Sequence, residues 1–530
     1  MTNSIRTAGL FGLLLLSPML LVVQGCSDLT EAPKSSITPD NFFSTEEEML
    51  GGLVAVYAQL RSTLTGYGDY YNVIEVSSDE MIVPTRGQDW KDDGRWLELH
   101  RHTWEPNSPS ALTDLNGAWV APFTGVARAN VVLEALDKVT LPDAFEAGVR
   151  AEARTLRAFY YYLLMDAFGG VPLATDTKVV PRARATRAEV FQFIEQELTE
   201  ARADLPASWP AADHGRMTQG AADAILASLY LNAAVFTKDE GISITGYNSC
   251  QDVMIGALTA CEAAVAAADR ILNSPAGYML EPDWRTNFRA DNYVSLENIL
   301  VVKFVNQADL GFRLFHATLH YNQFSPTPWN GFSTLADVYN AFDADDQRLG
   351  SFRVGPQTNL DTGLPVNDRQ NNPLVFTPTI GDATAATESE GARIGKWPHD
   401  PDHNGPDNGN DFAYFRLAEI MLIKAEALNE ITPGDANALL LVNQVRERVF
   451  EPDEPLATVD RDAILRERLF ELVFEAKRRQ DQIRFGRFDD SWAFKSASSA
   501  HRVLMAIPQT QLDVNPLLCQ NAGYAGPVCP

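Results

Sequence analysis

Basic residues are in short supply in this 530-residue chain: 43 lysines and arginines stand against 70 aspartates and glutamates, a formal net charge of −27. That excess argues against nucleic acid or an anionic membrane face as the main partner, since either would be approached against repulsion. It suits a solvent-exposed protein that binds something neutral. Long apolar runs are lacking too. The stretch from Leu10 to Val23 is broken by Ser17 and Pro18 and is too short to cross about 30 Å of hydrocarbon, and no later segment is apolar enough to do so. Catalytic signatures are missing as well: there is no GxSxG around a serine, no HExxH and no phosphate-cradling glycine loop, and none of the five cysteines has CxxC spacing. A glycosidase is not excluded on this ground, because two carboxylates suffice for its chemistry.

What is present begins with Val23-Gln24-Gly25-Cys26, which follows Arg6 and the broken apolar run and precedes a polar segment with Ser27, Asp28, Thr30 and Glu31. The pattern predicts a lipoprotein signal peptide over residues 1–25, a lipidated Cys26 as the sole anchor, and a tether over 26–43. Such a chain works outside the cytoplasm, where disulfides persist. Cys250 and Cys261, and Cys519 and Cys529, lie close in sequence, although four cysteines allow three connectivities.

Ser44 precedes Thr45-Glu46-Glu47-Glu48 and the periodic set Leu50, Leu53, Val54, Tyr57 and Leu60, a hydroxyl cap three residues before a Glu that predicts a capped helix start. Apolar spacing of three and four residues predicts further helices over Val126–Leu136, Phe145–Phe168, Ala188–Asp204, Gln219–Phe236, Val253–Leu272, Phe412–Glu430, Ala436–Val449 and Asp462–Phe485. Stacked helical hairpins follow, resembling degenerate tetratricopeptide units because no fixed period repeats. The fold class read here is mostly α, with helical regions at 44–272 and 411–530 and an irregular, partly stranded, loop-rich ligand-binding region at 273–410 that includes a β-like run at Ile299–Val305. Asn72–Pro109 shares that loop-rich, aromatic character.

Several segments together resemble the SusD/RagB family of surface lipoproteins. They are Thr38-Pro39-Asp40-Asn41-Phe42-Phe43, Ala127-Arg128-Ala129-Asn130, Ala151 to Tyr160, Phe168-Gly169-Gly170-Val171-Pro172-Leu173, Phe415 to Glu419 with Ala425-Glu426-Ala427, Glu467 to Gly486, and the closing Ile507-Pro508-Gln509, Asn515-Pro516 and Gln520 to Tyr524. The resemblance implies a helical, lipid-anchored protein of the outer-membrane surface. It also implies an oligosaccharide ligand and a SusC-like TonB-dependent transporter as partner, with binding rather than turnover as the mechanism. A peptide ligand, a surface glycan hydrolase and a helical scaffold for outer-membrane assembly are the rival readings. Read physically, Arg154, Arg157, Arg416, Glu419, Glu426, Glu467, Arg468, Glu471 and Glu475 are pairs between packed helices, since buried charge is tolerated only when paired.

Aromatics in the non-helical excursions are the candidate ligand platform, because a sugar's C–H face stacks on a ring while its hydroxyls seek polar neighbours. Composition selects Trp90, Arg95 and Trp96 in one excursion and Tyr321, Asn322, Trp329 and Asn330 in another. The alternative is that Trp90, Trp96 and Trp329 cap a minor core. A separate run, Asp400-Pro401-Asp402-His403-Asn404-Gly405 with Asn408 and Asp411, has the oxygen spacing of a calcium loop and points to Ca²⁺ on Asp400, Asp402, Asn404 and Asp411, although Asp411 replaces the usual glutamate. The histidine pairs His100/His102, His316/His320 and His399/His403 read as solvated or satisfied side chains.

Overall fold

The first described helix, Glu46–Gln59, shows how local chemistry starts an element: the Thr45 hydroxyl accepts from the Glu48 N–H while the Glu48 carboxylate accepts from the Thr45 N–H. Thr45 therefore caps the helix, and Ser44 donates to the same carboxylate from outside. The structure is a computed structural model describing residues 43–529 apart from 66, 239–243 and 245, so Cys26, the leader and most of the tether lie outside the described residues.

Helices pack in series. Glu46–Gln59 lies on Asn116–Leu136, which lies on Asp143–Phe168, followed by Arg187–Ala201, Gln219–Leu231, Ala260–Leu272 and Leu417–Ile431; Ala436–Glu447 and Arg461–Leu472 close the stack. Small residues set the spacing. A Cβ at Gly125 would lie 2.3 Å from the Tyr160 ring, so the helix pair Asn116–Leu136 and Asp143–Phe168 approaches as it does only with glycine there. The mostly α expectation holds, as does the helical stack.

Three predicted helices are corrected. Phe412–Arg416 is a strand, antiparallel to Asn298–Val302, and the helix begins at Leu417. Residues 254–259 form a small hairpin around Gly256 (φ +61°), leaving the helix to start at Ala260. The run Asp462–Phe485 is broken between Leu472 and Arg478, where Phe474 and Ala476 take positive φ. Two short helices, Tyr70–Val76 and Arg95–Arg101, stand in the stretch read as loop. The cysteines pair as Cys250–Cys261 and Cys519–Cys529.

The signature charges bind the stack together. Arg157 is buried and gives Nε and Nη2 to Glu197 at 2.8 and 2.6 Å and Nη1 to Asn130 at 2.8 Å. Arg416 pairs not with Glu419 or Glu426 but with Glu297, Glu471 and Glu475. Glu419 is met by Lys477, and Glu426 by Arg484. Arg416 belongs to a connected buried network in which Arg348, Lys396, Arg446 and Arg448 join it against Glu297, Asp346, Glu467, Glu471 and Glu475. Five cations meet five anions, so each desolvated charge has a partner.

Candidate ligand-binding cleft

A cleft of about 1090 Å³ opens where three excursions meet: the end of the first helix with Arg61, Thr65 and Tyr67, the turn carrying Gln88, Asp89 and Trp90, and the 304–329 segment with Asp309, Arg313, Tyr321 and Trp329. Trp90 is set by its backbone. Arg86 and Asp89 exchange N–H···O bonds of 3.0 and 3.1 Å across a tight turn, and Trp90 follows with φ +59°. A bulky ring in that conformation is an outlier that surrounding contacts must impose. They do so here: the Trp90 indole N–H donates to the Trp329 carbonyl at 2.6 Å, and its ring meets Trp96 and Phe332 at centroid distances of 5.4 and 5.7 Å. Gly331 leaves room for it, since a Cβ there would lie 2.3 Å from the indole.

The facing wall is Tyr321, whose hydroxyl donates to Asp89 and whose ring carries the Arg369 guanidinium 4.0 Å from its centroid. Burial, then Asp89, raises its hydroxyl pKa above the ordinary value. Arg369 continues to Glu388, which also accepts from His320 at 3.0 Å; partial burial pushes that carboxyl up, but the Arg369 and His320 hydrogen bonds outweigh it and hold it down at about 2. Arg313 on the floor is fixed by Asp407 at 2.8 and 2.9 Å and by Asp309 at 2.9 Å. Rings are therefore positioned beside hydrogen-bonding groups that are already held, the arrangement that recognises a ligand with both apolar faces and hydroxyls.

Of the residues selected by composition, Trp90, Tyr321 and Trp329 line the cleft. The others do not. Trp96 is 1% exposed and sits behind Trp90, its indole donating to Asp92 at 2.8 Å. Arg95 is buried between Tyr67 and Trp96, 4.1 and 4.2 Å from their rings, and bonds Asp114, whose carboxyl burial pushes up to about 7 despite that cation. Asn330 is buried with its amide bonded to Glu388 and Arg393, and Asn322 is exposed with its amide on the Asn367 carbonyl. These four support or flank the cleft. Tyr67, Arg61 and Arg313 line it without having been singled out; an aromatic between Gly66 and Gly68 was the available signal for the first.

The calcium expectation is also revised. Asp400 spends its oxygens on the N–H groups of Asp402 and Gly409, both at 2.9 Å, while Asp411 accepts from the Phe304 N–H at 2.8 Å and meets His214 at 2.9 Å. Asn404 is used through its backbone, bridged to Asp407. Asp400, Asp402 and Asp411 do not gather as a three-ligand group among the described residues, so the loop is closed by its own hydrogen bonds rather than arranged as an oxygen cage. Of the other histidines, His100 is buried, with burial holding it down at about 4, and His316 lies at about 4 for the same reason beside Trp329.

Fold and cleft together define a helical scaffold that carries an aromatic-lined cleft on its loops. Family models agree over most of the chain: residues 272–524 match the SusD family and residues 40–231 match the family described as "Starch-binding associating with outer membrane". The chain belongs to the SusD family. It is 25% identical over 497 residues to "SusD-like protein P2" of Formosa agariphila, covering 87% of this chain and 88% of that one, and 24% identical over 514 residues to "Starch-binding protein SusD" of Bacteroides thetaiotaomicron, covering 86% of each. Among solved structures, a "Laminarin binding SusD-like protein" superposes with TM-score 0.73 at 22% identity, over 91% of this chain and all of that one. A surface glycan-binding protein A from Bacteroides thetaiotaomicron in complex with laminarihexaose superposes with TM-score 0.68 at 20% identity, over 90% of this chain and all of that one.

Proposed function

We propose that this protein captures a neutral oligosaccharide between Tyr67, Trp90, Tyr321 and Trp329 and delivers it to a TonB-dependent transporter of the outer membrane, held at the cell surface by lipid on Cys26. The observation that carries the reading is the convergence of rings from separate excursions on one cleft, with Trp90 and Trp329 locked together by a hydrogen bond. The names of the laminarin- and starch-binding relatives support the ligand class. No long-lived covalent chemistry is required: a ring platform gains affinity by stacking, and the ligand leaves unchanged.

Calorimetric titration with laminarihexaose and with a maltooligosaccharide tests it. Trp329→Ala and Trp90→Ala are expected to lose about 1–2 kcal/mol, roughly ten- to thirtyfold in affinity, with circular dichroism unchanged. Equal affinity in both variants places the site elsewhere, and shortening of the sugar during the titration establishes the hydrolase instead. For the anchor, Cys26→Ser is expected to leave the membrane fraction; retention there at wild-type levels refutes lipidation at this residue.

A further inference from the structure

Away from the ring cleft, the 359–364 turn and the 397–408 loop face each other through Asp361, His399 and His403, whose ligand atoms all lie within 4.8 Å of one another. Both imidazoles aim Nε2 at one oxygen, Asp361 Oδ1, at 3.2 Å from His399 and 3.3 Å from His403. A tetrahedral zinc ion with bonds of about 2.0–2.1 Å separates its ligand atoms by about 3.3–3.4 Å, and the two edges from Asp361 Oδ1 to the imidazoles match that spacing.

The hydrogen-bond chemistry points the same way. His403 Nδ1 lies 2.8 Å from the Gly405 carbonyl, which can only accept, so Nδ1 carries the hydrogen. In the neutral ring, Nε2 then presents a lone pair toward a carboxylate oxygen, an arrangement that requires a cation between them or a further proton. A ring nitrogen tied to a backbone carbonyl while the other faces a carboxylate is the outer-sphere pattern of metal-ligating histidines. His399 Nε2 is buried and makes no hydrogen bond of good geometry. Phe324 packs against both rings, at centroid distances of 4.4 Å from His403 and 5.2 Å from His399, which walls one side with hydrocarbon, while Asp361 is one-third exposed and leaves the other side open.

We infer that Asp361, His399 and His403 form a site for a divalent transition metal, zinc being the ion that two imidazoles, one carboxylate and this spacing fit, with solvent in the fourth position. Bound there, the ion ties the 359–364 turn to the 397–408 loop. The site is independent of the sugar-binding reading.

The test uses tag-free full-length protein, stripped with chelator and titrated calorimetrically with zinc chloride, followed by Co²⁺ substitution monitored by visible absorption. One zinc per chain and the intense absorption of four-coordinate cobalt are expected. Asp361→Asn, which keeps the side chain's shape, is expected to weaken zinc at least tenfold, and His399→Ala/His403→Ala to abolish binding, with circular dichroism and oligosaccharide affinity unchanged. Wild type that takes up no zinc at micromolar concentrations overturns the inference and leaves the trio as a proton-sharing cluster. Uptake undiminished in the double variant overturns it as well, and if the double variant misfolds, unchanged zinc affinity in Asp361→Asn does so alone.

Discussion

Arg416→Ala is the most demanding perturbation this fold offers. The guanidinium makes five directed bonds: Nε to Glu475 at 2.7 Å, Nη1 to Glu297 at 2.8 Å and Glu471 at 2.5 Å, and Nη2 to the Glu471 carbonyl at 2.6 Å and Glu475 at 2.8 Å. It is 1% exposed, and its three carboxylate partners are equally buried. Removing it leaves five anions against four cations in a region water does not reach. Breaking a buried pair in this way costs about 3–5 kcal/mol, chiefly because the remaining charge is stranded. With an unfolding entropy of about 2.1 cal/mol/K per residue, a chain of this length turns that loss into a fall in Tm of about 3–5 °C. The deficit should also depend on pH. Burial pushes the Glu471 carboxyl up, but Arg448, Arg416 and Arg348 outweigh it and hold it well below the ordinary range. Without Arg416 a carboxyl of the network takes up a proton more readily, so the gap between variant and wild type is widest near pH 8 and narrows toward pH 5. Arg416→Lys should fall between, since one ammonium cannot reproduce five bonds in a planar fork. Differential scanning calorimetry at both pH values is the assay. A variant melting within a degree of wild type at pH 8 would refute the claim that these charges hold one another.

Other perturbations probe separate links. Burial raises the Glu75 carboxyl to about 7, above its ordinary 4.5, so the folded state retains a proton that the unfolded chain has lost. That contribution is full below about pH 4.5 and is lost as pH rises through 7; Glu75→Gln should flatten this part of the stability profile, and an unchanged slope by chemical denaturation counts against it. Arg157→Ala takes two of the three arginine bonds from Glu197, leaving Arg154 Nε at 2.8 Å, and removes the donor to Asn130; it should cost about 1.5–3 kcal/mol by the same assay, whereas a cost under about 0.5 kcal/mol shows the pair to be solvated. Replacing Cys250 and Cys261 by serine opens a loop with a sequence separation of 11 and should cost about 3 kcal/mol, read from the denaturation midpoint; no change means the loop is held without its bridge. Trp96→Ala should lower Tm far more than Trp329→Ala, because only the former is fully buried, and the reverse order contradicts the assignment of wall and core.

Helices whose apolar stripe is continuous, such as Arg187–Ala201, buried at Val190, Phe191, Ile194, Leu198 and Ala201, were legible because period and burial coincide. The failures have tertiary causes. Phe412–Arg416 is buried at all five positions, so its sequence carries no period, and only pairing with Asn298–Val302, more than a hundred residues earlier, makes it a strand. The break after Leu472 is imposed from far away: Glu80 accepts from the Phe474 N–H at 2.9 Å and Glu75 from that of Ala476, drawing the backbone out of the helix. At the cleft, composition finds the aromatic excursions but cannot tell which ring faces outward. Trp90 and Trp96 lie six residues apart in one excursion, and the positive φ of Trp90 together with the helix beginning at Arg95 puts one on the wall and the other behind it. Tyr67, Arg61 and Arg313 arrive from segments that the linear pattern does not connect.

Dissolved salt acts differently on the buried network around Arg416 and on the surface of the molecule. Its ten ionised groups cancel among themselves, so the formal charge of −27 resides in the remainder of the molecule, where mobile ions can reach whatever lies at the surface. Dissolved salt screens repulsion among exposed carboxylates but scarcely penetrates to charges that water does not wet. Rising salinity thus relaxes the coat and leaves the keystone alone, so the fold should tighten rather than loosen as its surroundings become more saline.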